Sequence, residues 1–164
     1  MPSHAVTSRP PEPIFELAEM AKVVGMPFTK AKNWTMGRPI RFRASLRSGM
    51  GTGSRNLYSL DDVYLMGIAY ECSKVGMAAK AIGKLVEAVR MKFPAGLRGI
   101  GMLYAWRGPK LTYRIEARED RVSADTMVRI AIDVPSLRAR VDREVRKLRQ
   151  QYWGLGCRTD RPGF

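Results

Sequence analysis

The sequence predicts an α+β chain: four helices interrupted by a basic β-hairpin, then a small antiparallel β meander and a C-terminal helix. Three observations carry this. Apolar residues recur at spacings of three and four through 14–34 and 60–91, the period of helices with one buried face. The period changes to two at 40–46 and again at 111–117, as in half-exposed strands. Positive charge is local: no Asp or Glu falls between Met20 and Leu60, while Lys22, Lys30, Lys32, Arg38, Arg41, Arg43, Arg47 and Arg55 all do.

A chain of 164 residues can bury one ordinary core or two small ones. Two modules are expected. Residues 1–13 hold Pro2, Pro10, Pro11 and Pro13 with little that is apolar, and read as a disordered leader without the core of a signal peptide. Residues 14–92 form the first module, 93–153 a β-rich module for oligomerisation or effector binding, and 154–164 a flexible tail.

Each element follows from its residues. Ile14, Leu17, Ala18, Ala21 and Val24 share one face of a first helix, which Gly25-Met26-Pro27 breaks into a sharp turn. Phe28 to Trp34 resumes as a short second helix with Lys30, Lys32 and Asn33 outward, so the outline is helix-turn-helix. In Ile40 to Leu46, apolar Ile40, Phe42, Ala44 and Leu46 alternate with Arg41 and Arg43, the pattern of a strand with one cationic face. The glycine-rich run 48–54 turns the chain, and Arg55 to Tyr58 returns as the second strand of a basic wing. Ser59 and Asp62 have the spacing of a capping box and open a third helix to about Lys74, with Val63, Leu65, Met66, Ile68, Ala69 and Cys72 apolar. Gly76 ends it, and Ala78 to Met91 forms a fourth with Ile82, Leu85, Val86 and Val89 inward.

Phe93-Pro94 and the glycines at 96, 99 and 101 mark the boundary. Met102 to Trp106, Leu111 to Ala117 and Thr126 to Ile132 then read as strands of a meander. The last helix starts near Asp133-Val-Pro-Ser136 and aligns Val141, Val145, Leu148 and Tyr152. This seam either packs on the adjoining sheet or forms a dimerising coiled coil. Tyr104, Trp106 and Tyr113 are either core aromatics or the lining of a ligand pocket, and the basic residues Arg138 to Arg149 either a solvated face or further DNA contacts.

Composition excludes several functions. The only histidine, His4, lies in the leader, which removes histidine acid–base chemistry and most zinc patterns. Cys72 and Cys157 suit unpaired thiols in a reducing compartment better than a disulfide framework. No apolar run approaches membrane-spanning length. Gly49-x-Gly51-x-Gly53 lacks the strand-to-helix context of a nucleotide-binding loop, and its backbone either approaches phosphate or simply turns the hairpin. Glu116, Glu119 and Asp120 are the only clustered acids in the β region, with nothing convergent on them. We therefore expect no enzyme, no metal and no cofactor. The net charge of +14, from 29 Lys and Arg against 15 Asp and Glu, points to a polyanionic partner.

From about Phe15 to Val89 the order of elements, and above all Arg55-Asn-Leu-Tyr-Ser-Leu-Asp-Asp-Val63 with Leu65, Ile68, Gly76, Ile82 and Leu85, resembles the winged helix-turn-helix of MerR-like regulators. The resemblance implies that Thr29, Lys30, Lys32 and Asn33 lie on a recognition helix and that Arg55 and Tyr58 anchor the wing; Arg38, Arg41, Arg43 and Arg47 fall on the surrounding basic surface. It implies a transcription regulator that binds double-stranded DNA as a homodimer, with RNA polymerase a further partner, and the leader's lack of a signal-peptide core leads us to expect it in the cytoplasm. Lys and Arg neutralise phosphates, while Asn33 either pairs with adenine or caps its helix. The alternative is a phage or mobile-element architectural protein, of the excisionase or packaging small-subunit type, using the same winged domain.

Overall fold

A computed structural model describes residues 13–48, 55–107, 113–117 and 128–154, and forms in them an α+β arrangement of five helices and two antiparallel sheets. Helix α1, Leu17–Val24, opens on a reciprocal cap between Glu16 and Glu19 and buries Met20, Ala21, Val23 and Val24. Its expected apolar face is corrected at both Ile14 and Ala18, which are exposed. At Ile14 the reason is Phe15, which enters the core while its backbone bridges Tyr58 in both directions at 2.9 Å, so the helix begins only afterwards; Ala18 lies inside the helix, on the side away from the buried Met20, Val23 and Val24.

Gly25 adopts φ 74° and ends α1, its amide bonding to Lys22 O and that of buried Met26 to Ala21 O. Two backbone bonds thus close the helix end, and only glycine takes that φ without strain. Pro27, which has no amide to leave unpaired, leads into α2, Phe28–Thr35, which buries Ala31 and Trp34.

The strand expected over Ile40 to Leu46 forms only at its last residue. Strand β1 is Leu46–Ser48, pairing antiparallel with β2, Arg55–Leu57, and the glycine run at the hairpin tip lies outside the described residues. Ile40 and Phe42 are buried and Arg41 and Arg43 exposed, so the alternation is real. It reflects one face packing on the core, whereas a ladder needs a neighbouring backbone. Residues 40–45 instead bond to α2 and to the start of the next helix, through Phe42 N to Trp34 O and Ser45 N to Asp62 Oδ2, both at 3.0 Å.

Helix α3, Leu60–Lys74, has the predicted cap: Ser59 Oγ accepts from Asp62 N at 3.2 Å, and Asp62 Oδ2 from Ser59 N at 3.1 Å. It is buried on nearly all sides because α1, α4 (Ala79–Lys92) and the last helix α5 (Val134–Gly154) pack around it. In α4, Ile82, Leu85, Val86 and Val89 point inward as expected.

The second sheet joins β3 (Met102–Arg107), β4 (Tyr113–Glu116) and β5 (Val128–Asp133) in the order β4-β3-β5. A meander would place β4 in the middle, so that expectation is corrected. Strand β5 runs without a loop into α5, which must reach α1 and α3, whereas β4 lies against α4; the two edge strands therefore take opposite sides of β3.

Val141, Val145 and Leu148 of α5 are buried in the chain's own core, and Gly67 of α3 lies so near that a Cβ there would stand 3.4 Å from Leu137. These three seam positions are thus unavailable to a coiled coil; Tyr152 stays 55% exposed. Core residues of 14–92 and of 93–153 belong to one apolar cluster running from Phe15 to Leu148. Among the described residues, no helix is long and apolar enough to cross a membrane.

Candidate nucleic-acid interface

The turn at Gly25 sets α2 across α1, and burial of Ala31 and Trp34 fixes which side of α2 faces out. Phe28, Thr29, Lys32, Asn33 and Met36, at steps of one, three, one and three, are all exposed. The Asn33 side chain makes no hydrogen bond among the described residues, so its amide is not spent on capping α2. The backbone carbonyl of Asn33 accepts from Arg38 N at 2.8 Å, which folds the following segment back against the helix.

Lys30 behaves differently from its neighbours. Its ammonium donates to Ser73 Oγ at 3.0 Å and sits 5.4 Å from the Trp34 ring and 5.2 Å from that of Tyr70. The charge therefore ties α2 to α3, a role that helical spacing alone does not reveal. Thr29, Lys30, Asn33 and Arg38 nevertheless line one cleft of about 490 Å³.

Arg38, Arg41 and Arg43 are exposed along the segment after α2. The path of this segment is held by Asp62, whose carboxylate is nearly buried. It accepts from Ser45 N, Ser45 Oγ and Ser59 N, and from Arg90 at 2.8 Å. Arg90 also donates to Arg43 O at 2.6 Å and stacks on Phe42, 4.9 Å from the ring centre. Sequence reasoning found Asp62 as a cap and missed this hub, because Arg90 lies 28 residues away and nothing local links them.

Arg47 and Arg55 stand on the hairpin strands, in register with Asn56 and Ser48 respectively. Tyr58 is 1% exposed, and burial pushes its phenol above its ordinary pKa of 10.0. Through its backbone bridge to Phe15 it fastens the end of the hairpin to the start of α1, and it offers little free surface. The structure thus gathers Thr29, Lys32, Asn33, Arg38, Arg41 and Arg43 on exposed, acid-free chain, and turns Lys30 and Tyr58 inward.

A second concavity, of about 550 Å³, opens between α3, β5 and α5 and is lined by Cys72, Val75, Ile130, Ile132, Leu137 and Arg143 among others. It is not the aromatic pocket read from Tyr104, Trp106 and Tyr113: Tyr104 is half-buried elsewhere on β3, and the other two side chains lie outside the described ones. Burial, and then the nearby Glu71 charge, raise the Cys72 thiol to about 11. Burial pushes the Glu71 carboxyl up, but Lys74 at 3.0 Å and Arg140 at 2.7 Å outweigh it and leave the group below its ordinary range. Glu116 pairs with Lys92, and Glu119 and Asp120 lie outside the described residues.

Comparison of the sequence with protein-family models and with curated proteins finds no match.

Proposed function

We propose that this chain is a sequence-specific double-stranded DNA-binding transcription regulator, in which α1, the Gly25 turn and α2 act as a MerR-like helix-turn-helix and the β1–β2 hairpin as its wing. One observation carries the reading: the exposed face of α2 presents Lys32 and an uncommitted Asn33 beside Arg38, Arg41 and Arg43, with no acidic residue between Met20 and Leu60. Arginines and lysines on such a surface neutralise phosphates and fix the register of a helix in the major groove; an asparagine amide pairs bidentately with adenine. The protein acts as a homodimer on a dyad site, in the cytoplasm and next to RNA polymerase, as a binding protein and not a catalyst. Val141, Val145 and Leu148 are spent within the chain, so the dimer contact belongs to other surface.

The test is a fluorescence titration of a selected duplex and a scrambled one across salt concentrations. Affinity should fall steeply with salt, with a log–log slope of about −0.9 for each phosphate neutralised, and the selected duplex should bind tighter at every salt. Affinity unchanged between low and physiological salt, or no preference between the duplexes, sinks the reading.

A further inference from the structure

The outward face of α2 carries more than polar groups. Phe28 is 50% exposed and Met36 is 56% exposed, at the two ends of a face whose middle is Lys32 and Asn33. Other large exposed apolar side chains, such as Ile14 before α1, Val75 just after α3 and Met91 on α4, lie singly in separate parts of the chain. Isolated ones of that kind are ordinary. Two at opposite ends of one short helix, Phe28 at its first residue and Met36 at its C-cap, eight positions apart and flanking the same exposed face, form a pattern.

We propose that Phe28 and Met36 read thymine methyl groups at the two ends of the α2 footprint, so that each half-site carries a thymine on either side of the base pairs met by Lys32 and Asn33. The inference rests on the DNA-binding reading and deepens it. Eight residues of helix rise about 12 Å, close to the span of three to four stacked base pairs. Along a major groove the only apolar feature of the base edges is the C5 methyl of thymine, and everything else is donor or acceptor. A face that alternates apolar, cationic and amide groups matches such an edge.

A protein partner would favour a contiguous apolar patch, whereas Lys32 and Asn33 divide this one and Arg38, Arg41 and Arg43 lie beyond it. Phe28 brings a flat ring that cannot hydrogen-bond, suited to a methyl contact. Met36, at the C-cap of α2, brings a flexible thioether that adapts to a less regular approach.

The experiment starts from a duplex selected from a random pool by the full chain. Each thymine is replaced singly by deoxyuridine, which removes the methyl and leaves base pairing intact. In the unsubstituted protein, two positions per half-site should each weaken binding about fourfold, the value of one buried carbon. Sensitivity at one position should vanish in Phe28→Ala and at the other in Met36→Ala, while Met36→Leu should keep it. Circular dichroism and thermal melting confirm that these surface variants fold. Indifference of the unsubstituted protein to every replacement overturns the proposal while leaving DNA binding intact, as does full uracil sensitivity in both alanine variants. Failure to enrich any duplex overturns the DNA-binding reading and this inference together.

Discussion

Asp62 accepts hydrogen bonds from the amide and hydroxyl of Ser45, from the amide of Ser59 and from Arg90, although it is only 2% exposed. An alanine there leaves a partly buried guanidinium and several amide and hydroxyl donors without an acceptor. Such a loss costs about 3 kcal/mol, well beyond the roughly 1 kcal/mol of a helix cap alone. Urea unfolding of Asp62→Ala measures it, and a change confined to the cap's share would show that the hub adds nothing. At the surface, the roles of single side chains separate by phenotype. Asn33→Ala should remove base discrimination worth about 1–3 kcal/mol at one or two positions while nonspecific binding survives. Arg43→Ala should weaken binding to all sequences and flatten the salt slope by about one. Titration of both variants on specific and scrambled duplexes tells them apart; an unchanged specific-to-scrambled ratio in Asn33→Ala means that α2 does not read bases through that amide.

Among the elements, α5 yields the clearest expectation. Leu148 is 7% exposed and lies in the cluster shared with α1 and α3, so Leu148→Ala should cost about 2–5 kcal/mol at every protein concentration. Denaturation at two widely spaced concentrations checks this; a loss seen only at the higher one would return the seam to a subunit interface. Local chemistry made several elements legible in the sequence: the glycine after α1, the Ser59–Asp62 box and the inward faces of α3 and α4 each depend on residues within a turn or two. What stayed hidden depends on distant partners. Alternation at Ile40 and Phe42 announces a buried face and does not say whether a strand lies alongside. Strand order turns on where α5 must travel after β5, and an apolar seam at Val141 and Val145 looks the same whether its partner is another chain or this one. In the candidate interface, spacing placed Lys32 and Asn33 outward; it could not show Lys30 turning back to Ser73 and Tyr70, which belong to another helix.

Across the whole molecule, buried titratable groups set a pH window for the fold. Burial, then a 2.6 Å hydrogen bond to Asp142 on α5, raises Tyr64 from 10.0 to about 12, and burial raises Cys72 from 9.0 to about 11. In both, the unfolded chain gives up its proton first. Their stabilisation is therefore complete below about pH 9 and is lost as pH rises toward 12. Glu71, held below its ordinary 4.5 once Lys74 and Arg140 outweigh its burial, works in the opposite sense: its contribution is present above that value and is lost as pH falls through the folded one. Melting temperature should form a plateau that falls at both ends, with Tyr64→Phe blunting the alkaline fall. A melting temperature constant to pH 11 would contradict the assignment.

The joint between α5 and the first helices has a bearing on how such a chain is inherited. Lys22 meets Gln151, Glu19 meets Tyr152, and Tyr64 meets Asp142, so α5 supports α1 and α3 across more than seventy residues of sequence. The half that carries α2 is thus no cassette to be lifted out and grafted onto a different partner. Recombination that severs it near residue 92 bares Tyr64 and Gly67 and takes away the roof over α1. Under the proposed DNA-binding reading, new specificities are expected to arise by exchange of side chains on the outer face of α2, within a frame that is kept whole.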